Sequence, residues 1–251
     1  MNDQEIFEQL RRAGFSVVVC LAWMGNWKEE ANLEACRLQG DFQPDRWPSK
    51  EYARKVDNRL VSDEWFYRDG KGWGLPQFTF WSRKKGFLEL CRKKGVSIAD
   101  RETQIEYAIY ELNNEPQYAK LKEFLKTCGD NQLYEAVDMI CREFERPAYN
   151  NVNVRYQYAL ELKNQLQAKA TEQIDNGIER FWPPRMLCNG MNGADVSVLQ
   201  ALLTAHGYIV PITGVFSDST EKAVRKYQED NKLDIDGVVG TGQTWPSLLK
   251  M

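Results

Sequence analysis

Along most of its length the chain places apolar residues at helical period. "DQEIFEQLRRAG" (3–14) sets Ile6, Phe7 and Leu10 on one face and stops at a glycine, which predicts a short amphipathic helix. "FSVVVCLAWM" (15–24) is the longest apolar run, and a helix over 15–28 would be apolar on nearly every side and therefore buried. From 34 to 80 the period is lost. Pro44, Pro48, Gly70, Gly72, Gly74 and Pro76 interrupt it, and "EWFYRDGKGWGLPQFTF" (64–80) reads as a β-hairpin. Helical period returns over 81–94, 101–113, 116–127 and 131–145, and a long polar helix is expected over about 151–176.

The pattern then changes. "NGIERFWPPRMLCNG" (176–190), with paired prolines and flanking glycines, reads as a short, stiff linker. Beyond it "TGVFSDSTEKAV" (213–224) and "DGVVGTGQTWPSL" (236–248) form an approximate repeat: a glycine turn, two apolar residues and a threonine opening a helix. We therefore expect two domains, 1–176 and 190–251, joined by 177–189. The fold class is mainly α (α+β): a helical domain with a small β-hairpin lobe, then a small three-helix domain.

Composition narrows the chemistry. A formal net charge of −3 argues against nucleic acid as a partner. The run at 15–24 is too short to span a bilayer and lacks the flanks of a signal peptide, so synthesis in a cytoplasm without membrane insertion is expected. Six cysteines without a C-x-x-C pair read as free thiols. The single histidine, His206, leaves too few imidazoles for a zinc hydrolase and reads as structural. Carboxylates are left to carry acid–base work, with no metal or organic cofactor. The basic runs Arg83–Lys85 and Arg92–Lys94 read as a solvated helix face.

Over about 190–250 the sequence resembles the type 1 peptidoglycan-binding domain. The carriers are Asp195, Val196, Leu199, Gln200, Gly207-Tyr208, Gly214, Thr220, Val224, Tyr227-Gln228, Asp236 to Gly240 and Thr244-Trp245. Thr213 stands where that family has aspartate in the first turn, and the second turn-to-threonine loop is one residue longer. The resemblance implies wall binding, with Tyr208, Tyr227 and Trp245 as candidates to stack on sugar or stem peptide.

"GNWKEEANLEA" (25–35) resembles the G-N-x-x-x-E-S-x-x-N-P stretch of the phage tail lysozyme family, relatives of goose-type lysozymes and lytic transglycosylases. Ala31 replaces its serine and Glu34-Ala35 its Asn-Pro. "GWGLPQFT" (72–79) and "FERPAY" (144–149) match two further segments of that family. The resemblance implies a lysozyme-like fold and puts the catalytic glutamate at Glu30. Helical spacing also favours Glu30 over Glu29, because Glu30 follows Trp27 by three residues and Trp23 by seven. A carboxyl desolvated against those indoles would keep its proton and serve as a general acid.

Asp41, Glu64 and Asp69 are candidates for a second carboxylate on the cleft lip. Gln77 and Thr79 are candidates to bind an N-acetyl group or water, and Trp73, Phe78 and Tyr67 to form a sugar platform. The implied activity is cleavage of the β-1,4 bond between N-acetylmuramic acid and N-acetylglucosamine in bacterial peptidoglycan, by a monomer that reaches the wall after release or on a virion. The alternatives are a lytic transglycosylase using the same glutamate, and a non-catalytic wall-binding or tail protein.

Overall fold

The computed structural model describes residues 3–41, 47–177 and 185–250, with 168–177 described by their backbone alone. It divides into two compact units, Met1–Leu160 and Glu161–Met251. The stiff "WPP" of the expected linker, 182–184, lies outside the described residues.

The first unit is built around a helix that is apolar on all sides. After α1 (Asp3–Arg12), α2 (Val17–Ala31) starts at Ser16, whose hydroxyl accepts from Val19 N at 3.3 Å, and stops at Asn32, whose φ of 52° is left-handed. Every residue from Val18 to Trp27 is buried. α2 therefore runs three residues past its expected end at 28, and both Glu29 and Glu30 sit in its last turn.

The segment from 34 to 80 is not the expected hairpin lobe. It contains α3 (Ser49–Asp57) and α4 (Asp63–Arg68). Ser62 caps α4 through Trp65 N at 3.0 Å, and Asp63 and Glu64 sit favourably in the first turn, so "DEWFYR" folds as a helix. In the glycine-rich remainder Trp73 and Phe78 exchange two backbone hydrogen bonds around a tight turn, and Leu38 and Trp73 make an isolated antiparallel bridge. No strand grows from either pair among the described residues. The turn must be tight because Gly74 (φ 75°) lies against Gln104, whose Oε1 would stand 2.4 Å from an added Cβ.

The remaining helices fall where period placed them: α5 (Trp81–Lys94), α6 (Arg101–Asn114), a 3₁₀ turn (Pro116–Tyr118) leading into α7 (Ala119–Thr127), and α8 (Leu133–Ile140). α8 continues as a π turn, Cys141–Glu145, closed by a left-handed Arg146 with φ of 51°. α9 (Val152–Gly177) follows. α2 packs most extensively on α8 and is crossed closely by α9. At that crossing a Cβ on Gly25 would lie 2.5 Å from Arg155 O and 2.9 Å from Ala159 Cβ.

In the second unit the sequence repeat becomes two glutamine-centred turns. On α10 (Ala194–Ala205), Gln200 Oε1 accepts from Thr213 N and Gly214 N at 2.9 Å each. Its Nε2 donates to Val215 O at 2.9 Å and Thr220 Oγ1 at 3.1 Å. On α11 (Asp218–Asp230), Gln228 repeats this, accepting from Gly237 N at 2.9 Å and donating to Val238 O at 2.9 Å and Thr244 Oγ1 at 3.1 Å. The second threonine opens α12 (Thr244–Leu248). Leu199, Leu202, Phe216, Val224, Val239 and Leu248 fill the core between the three helices.

Candidate active site

The last turn of α2 and the π turn meet on one cleft of the first unit, and the start of α9 backs it through an arginine paired with Glu30. The cleft has a volume of about 1150 Å³, and its lining includes Glu30, Tyr67, Gln77, Thr79, Phe80, Trp81, Arg83, Tyr118 and Glu145.

Glu30 does not rest on the tryptophans. Trp23 and Trp27 turn into the core, 5.3 Å apart, and Trp23 meets Phe144 edge-on at 4.7 Å. The expected desolvation of Glu30 by indole faces is corrected accordingly. Glu30 Oε1 instead accepts from Arg155 Nη2 at 2.6 Å. Arg155 is only 2% exposed, and its Nη1 is fixed by Asn26 O at 3.3 Å and Asn26 Oδ1 at 3.2 Å. Asn26 is itself held inside α2 and against α8 through Ala22 O at 2.9 Å and Val137 O at 3.2 Å. The Gly25-Asn26 pair therefore has a purpose beyond α2: the glycine admits α9, and the asparagine orients the arginine that α9 delivers. Glu29 accepts from Asn151 at 3.3 Å on the exposed rim and does not line the cleft.

Glu145 occupies the environment foreseen for Glu30. Trp27 Nε1 donates to Glu145 Oε1 at 3.1 Å. Burial, and then the charge of Glu30, push the Glu145 carboxyl well above the ordinary glutamate range, while Arg83, Arg155 and the indole N–H pull the other way. The π turn makes this placement possible, because its extra residue per turn buries Phe144 while leaving Glu145 on the cleft wall. Arg83 lies under the same wall, over the Phe144 ring at 4.6 Å and paired with the buried Glu111 at 2.8 Å.

Of the other expected site residues, Tyr67, Gln77 and Thr79 line the cleft. Gln77 spends its amide N–H groups on Gly74 O at 2.8 Å and Arg37 O at 3.3 Å, and Thr79 donates to Gln77 O at 2.8 Å. Both therefore hold the turn as well as face the cleft. Glu64 pairs with Arg68 on α4 at 2.9 Å.

Asp69 and Asp41 stand apart from the cleft lining. Asp69 is buried against Lys84 Nζ and Tyr52 OH, each at 2.5 Å, and Asp41 accepts from Ser49 Oγ at 2.6 Å. Trp73 and Phe78 are both 0% exposed, so neither is a sugar platform. Trp73 Nε1 donates to Ile98 O at 2.8 Å, and Phe78 stacks on Phe87 at 5.1 Å. Among the described residues, the aromatic rings most exposed at the cleft are Phe80 (62%) and Trp81 (47%), beside the half-buried Tyr67. The basic run is corrected as well: Lys84 is fully buried, and Arg83 is largely so.

In the second unit Tyr227 and Trp245 are buried, with Tyr227 OH on Ser247 Oγ at 2.8 Å and Trp245 Nε1 on Arg185 O at 2.8 Å. They are core residues and not wall contacts. Tyr208 is half-buried, its hydroxyl donating to Asp230 at 2.9 Å. His206 is structural, with Nε2 2.7 Å from Leu248 O.

A mainly helical unit with a carboxyl-bearing open cleft, followed by a small helical unit of repeated glycine turns, defines a two-part protein of lysozyme-like type. Residues 1–166 match the family model described as phage tail lysozyme, and 192–245 match that of a peptidoglycan binding domain. The chain belongs to the phage tail lysozyme family and carries a peptidoglycan-binding domain after it. That pairing points to a lytic enzyme acting on peptidoglycan.

Three residues of the cleft, Glu145, Phe80 and Trp81, and the Arg155 that backs it are not singled out by the sequence. Arg155 did leave a signal. Val152, Arg155, Ala159, Leu162 and Leu166 form the buried stripe of α9, and a lone arginine in an apolar stripe requires a buried counter-charge. Glu145 lay within "FERPAY", a segment quoted above for its family resemblance and given no role.

Proposed function

We propose that the cleft of the first unit cleaves the β-1,4 bond between N-acetylmuramic acid and N-acetylglucosamine, with Glu30 as the catalytic residue. The observation that carries this reading is the position of Glu30, the glutamate of the family motif, on the wall of a cleft open enough for a glycan strand. Arg155 fixes its Oε1, and Oε2 has no hydrogen-bond partner among the described residues, so that oxygen is free to meet the glycosidic oxygen. Donation of a proton there lets the leaving sugar depart as an alcohol while positive charge develops on the other ring. Phe80 and Trp81 offer the exposed faces on which sugar rings stack, with Gln77 and Thr79 supplying polar contacts. No organic cofactor or metal enters the scheme.

A second reading, lytic transglycosylation with the muramyl 6-hydroxyl as nucleophile, is favoured by one observation: Asp41 and Asp69 are tied up in the fold and do not line the cleft, which leaves Glu145 as the one other glutamate among its described lining residues. Glu30→Gln tests the reading common to both. It should fold normally and lose at least about a hundredfold in lysis, as removal of a general acid does. Retention of near-normal lysis by a folded Glu30→Gln would end the assignment.

A further inference from the structure

We infer that Glu145 is a positioning residue for Glu30, holding one proton in common with it so that the pair, and not Glu30 alone, sets the pH range of catalysis. This rests on the reading of Glu30 as the catalytic residue. Two carboxyls in one cleft cannot both ionise without repulsion, and here they are tied to the same piece of chain. Glu145 is hydrogen-bonded to Trp27, one turn before Glu30 on α2, so the helix itself sets their separation.

The surrounding charges divide the proton unequally. From α9, Arg155 pairs directly with Glu30 at 2.6 Å. From α5, Arg83 faces Glu145 but is already neutralised by Glu111 of α6 at 2.8 Å. Tyr118 of the 3₁₀ turn, Cys141 of the π turn and Arg146 are further ionisable groups near the site, and Tyr67 and Arg68 line the same cleft. Arg155 is hydrogen-bonded to Glu30 and acts on Glu145 only through space, whereas Glu145 has the indole N–H of Trp27 and the distant pull of Arg83, which is paired with Glu111. In the resting site the proton of the pair resides on Glu145. The raised proton affinity of Glu145 agrees with this division.

A glycosidic oxygen entering beside Glu30 draws the proton across. Donation then breaks the bond between C1 and the leaving oxygen and leaves both carboxyls charged. The attacking water, or the 6-hydroxyl in its place, bonds to C1 and returns its own proton to the pair, so the balance closes without an added reactant.

The test is the pH dependence of kcat/KM on soluble glycan fragments for the intact chain. Glu145→Gln removes the repelling charge, so its basic limb should move down by about one pH unit, whatever the height of its acid plateau. Glu145→Asp should restore the limb at least in part. Trp27→Phe, which removes a donor to the Glu145 anion, should move it up. Proportional loss at every pH with the limb in place would mean a merely structural role and overturn the inference. Should Glu145→Gln fail to fold, the opposed shifts of the other two variants decide, and their absence overturns it. Glu30→Gln, run alongside, should be inactive throughout. If Glu30→Gln is active, the reading of Glu30 fails; if it is dead while the Glu145 variants keep the wild-type limb, only this inference fails.

Discussion

A lysine ammonium with no exposed surface is costly to bury, and Lys84 is kept in the fold by three acceptors: Asp69 at 2.5 Å, Lys71 O at 3.0 Å and Tyr52 OH at 3.2 Å. Burial pulls its pKa down to about 8, against the opposing pull of Asp69. Lys84→Met leaves Asp69 buried without its cation. It should destabilise the first unit by about 3–5 kcal/mol, measured by urea unfolding. Glu145 makes a pH-dependent prediction of the same kind. Its folded-state pKa lies above the ordinary glutamate value of 4.5, so folding takes up a proton there. That contribution is complete below the unfolded value and is lost as pH rises through the raised one. Wild type should therefore lose melting temperature relative to Glu145→Gln as pH rises from the acid side to neutrality. A constant difference between the two would contradict the shift.

Among the elements, α2 shows most plainly what hydrophobic period can and cannot tell. Its all-round apolarity announces a buried central helix, and "GNWKEE" is the end that carries the proposed catalytic glutamate. The chain alone could not show that the end is assembled from a distance, with Arg155 and Glu145 arriving from positions 129 and 118 residues away from their partners Asn26 and Trp27. α3 and α4 escaped because each is short and surrounded by prolines and glycines, so punctuation outweighed the capping signals of Ser62 and Asp63. Trp73 and Phe78 were misplaced for a related reason: an aromatic beside glycines in a turn looks exposed until the turn is folded into the core. The same long-range logic gives a prediction for the α2–α9 crossing. Gly25→Ala sets a methyl 2.5 Å from Arg155 O and must push α9 away. We expect a cost of about 1–3 kcal/mol, as in other overpacked contacts. Turnover should fall further than stability explains, because Arg155 moves with its helix; thermal melting and kcat measured on one preparation separate the two.

At the level of the whole molecule, the proposed function divides wall binding and bond cleavage between different domains. No described helix is long and apolar enough to cross a membrane, and the second unit has its own core and its own paired glutamine turns. On that reading, attachment to the wall would raise the effective concentration of glycan at the cleft without taking part in bond breaking. A chain ending at 176 should therefore keep its rate on soluble fragments and become slower on intact sacculi, while 178–251 should pellet with walls and release nothing. Equal rates of the short and full chains on sacculi would remove the targeting role. The central claim, that Glu30 in this cleft cuts the muramic acid–glucosamine bond, is tested most directly by mass spectrometry of fragments released from purified walls by wild type and by Glu30→Gln. The account predicts fragments ending in N-acetylmuramic acid for wild type, reducing after hydrolysis or 1,6-anhydro after transglycosylation, and none from the variant. Fragments ending in reducing N-acetylglucosamine, cleaved peptide bonds with intact glycan, or the same products from a folded Glu30→Gln would contradict it.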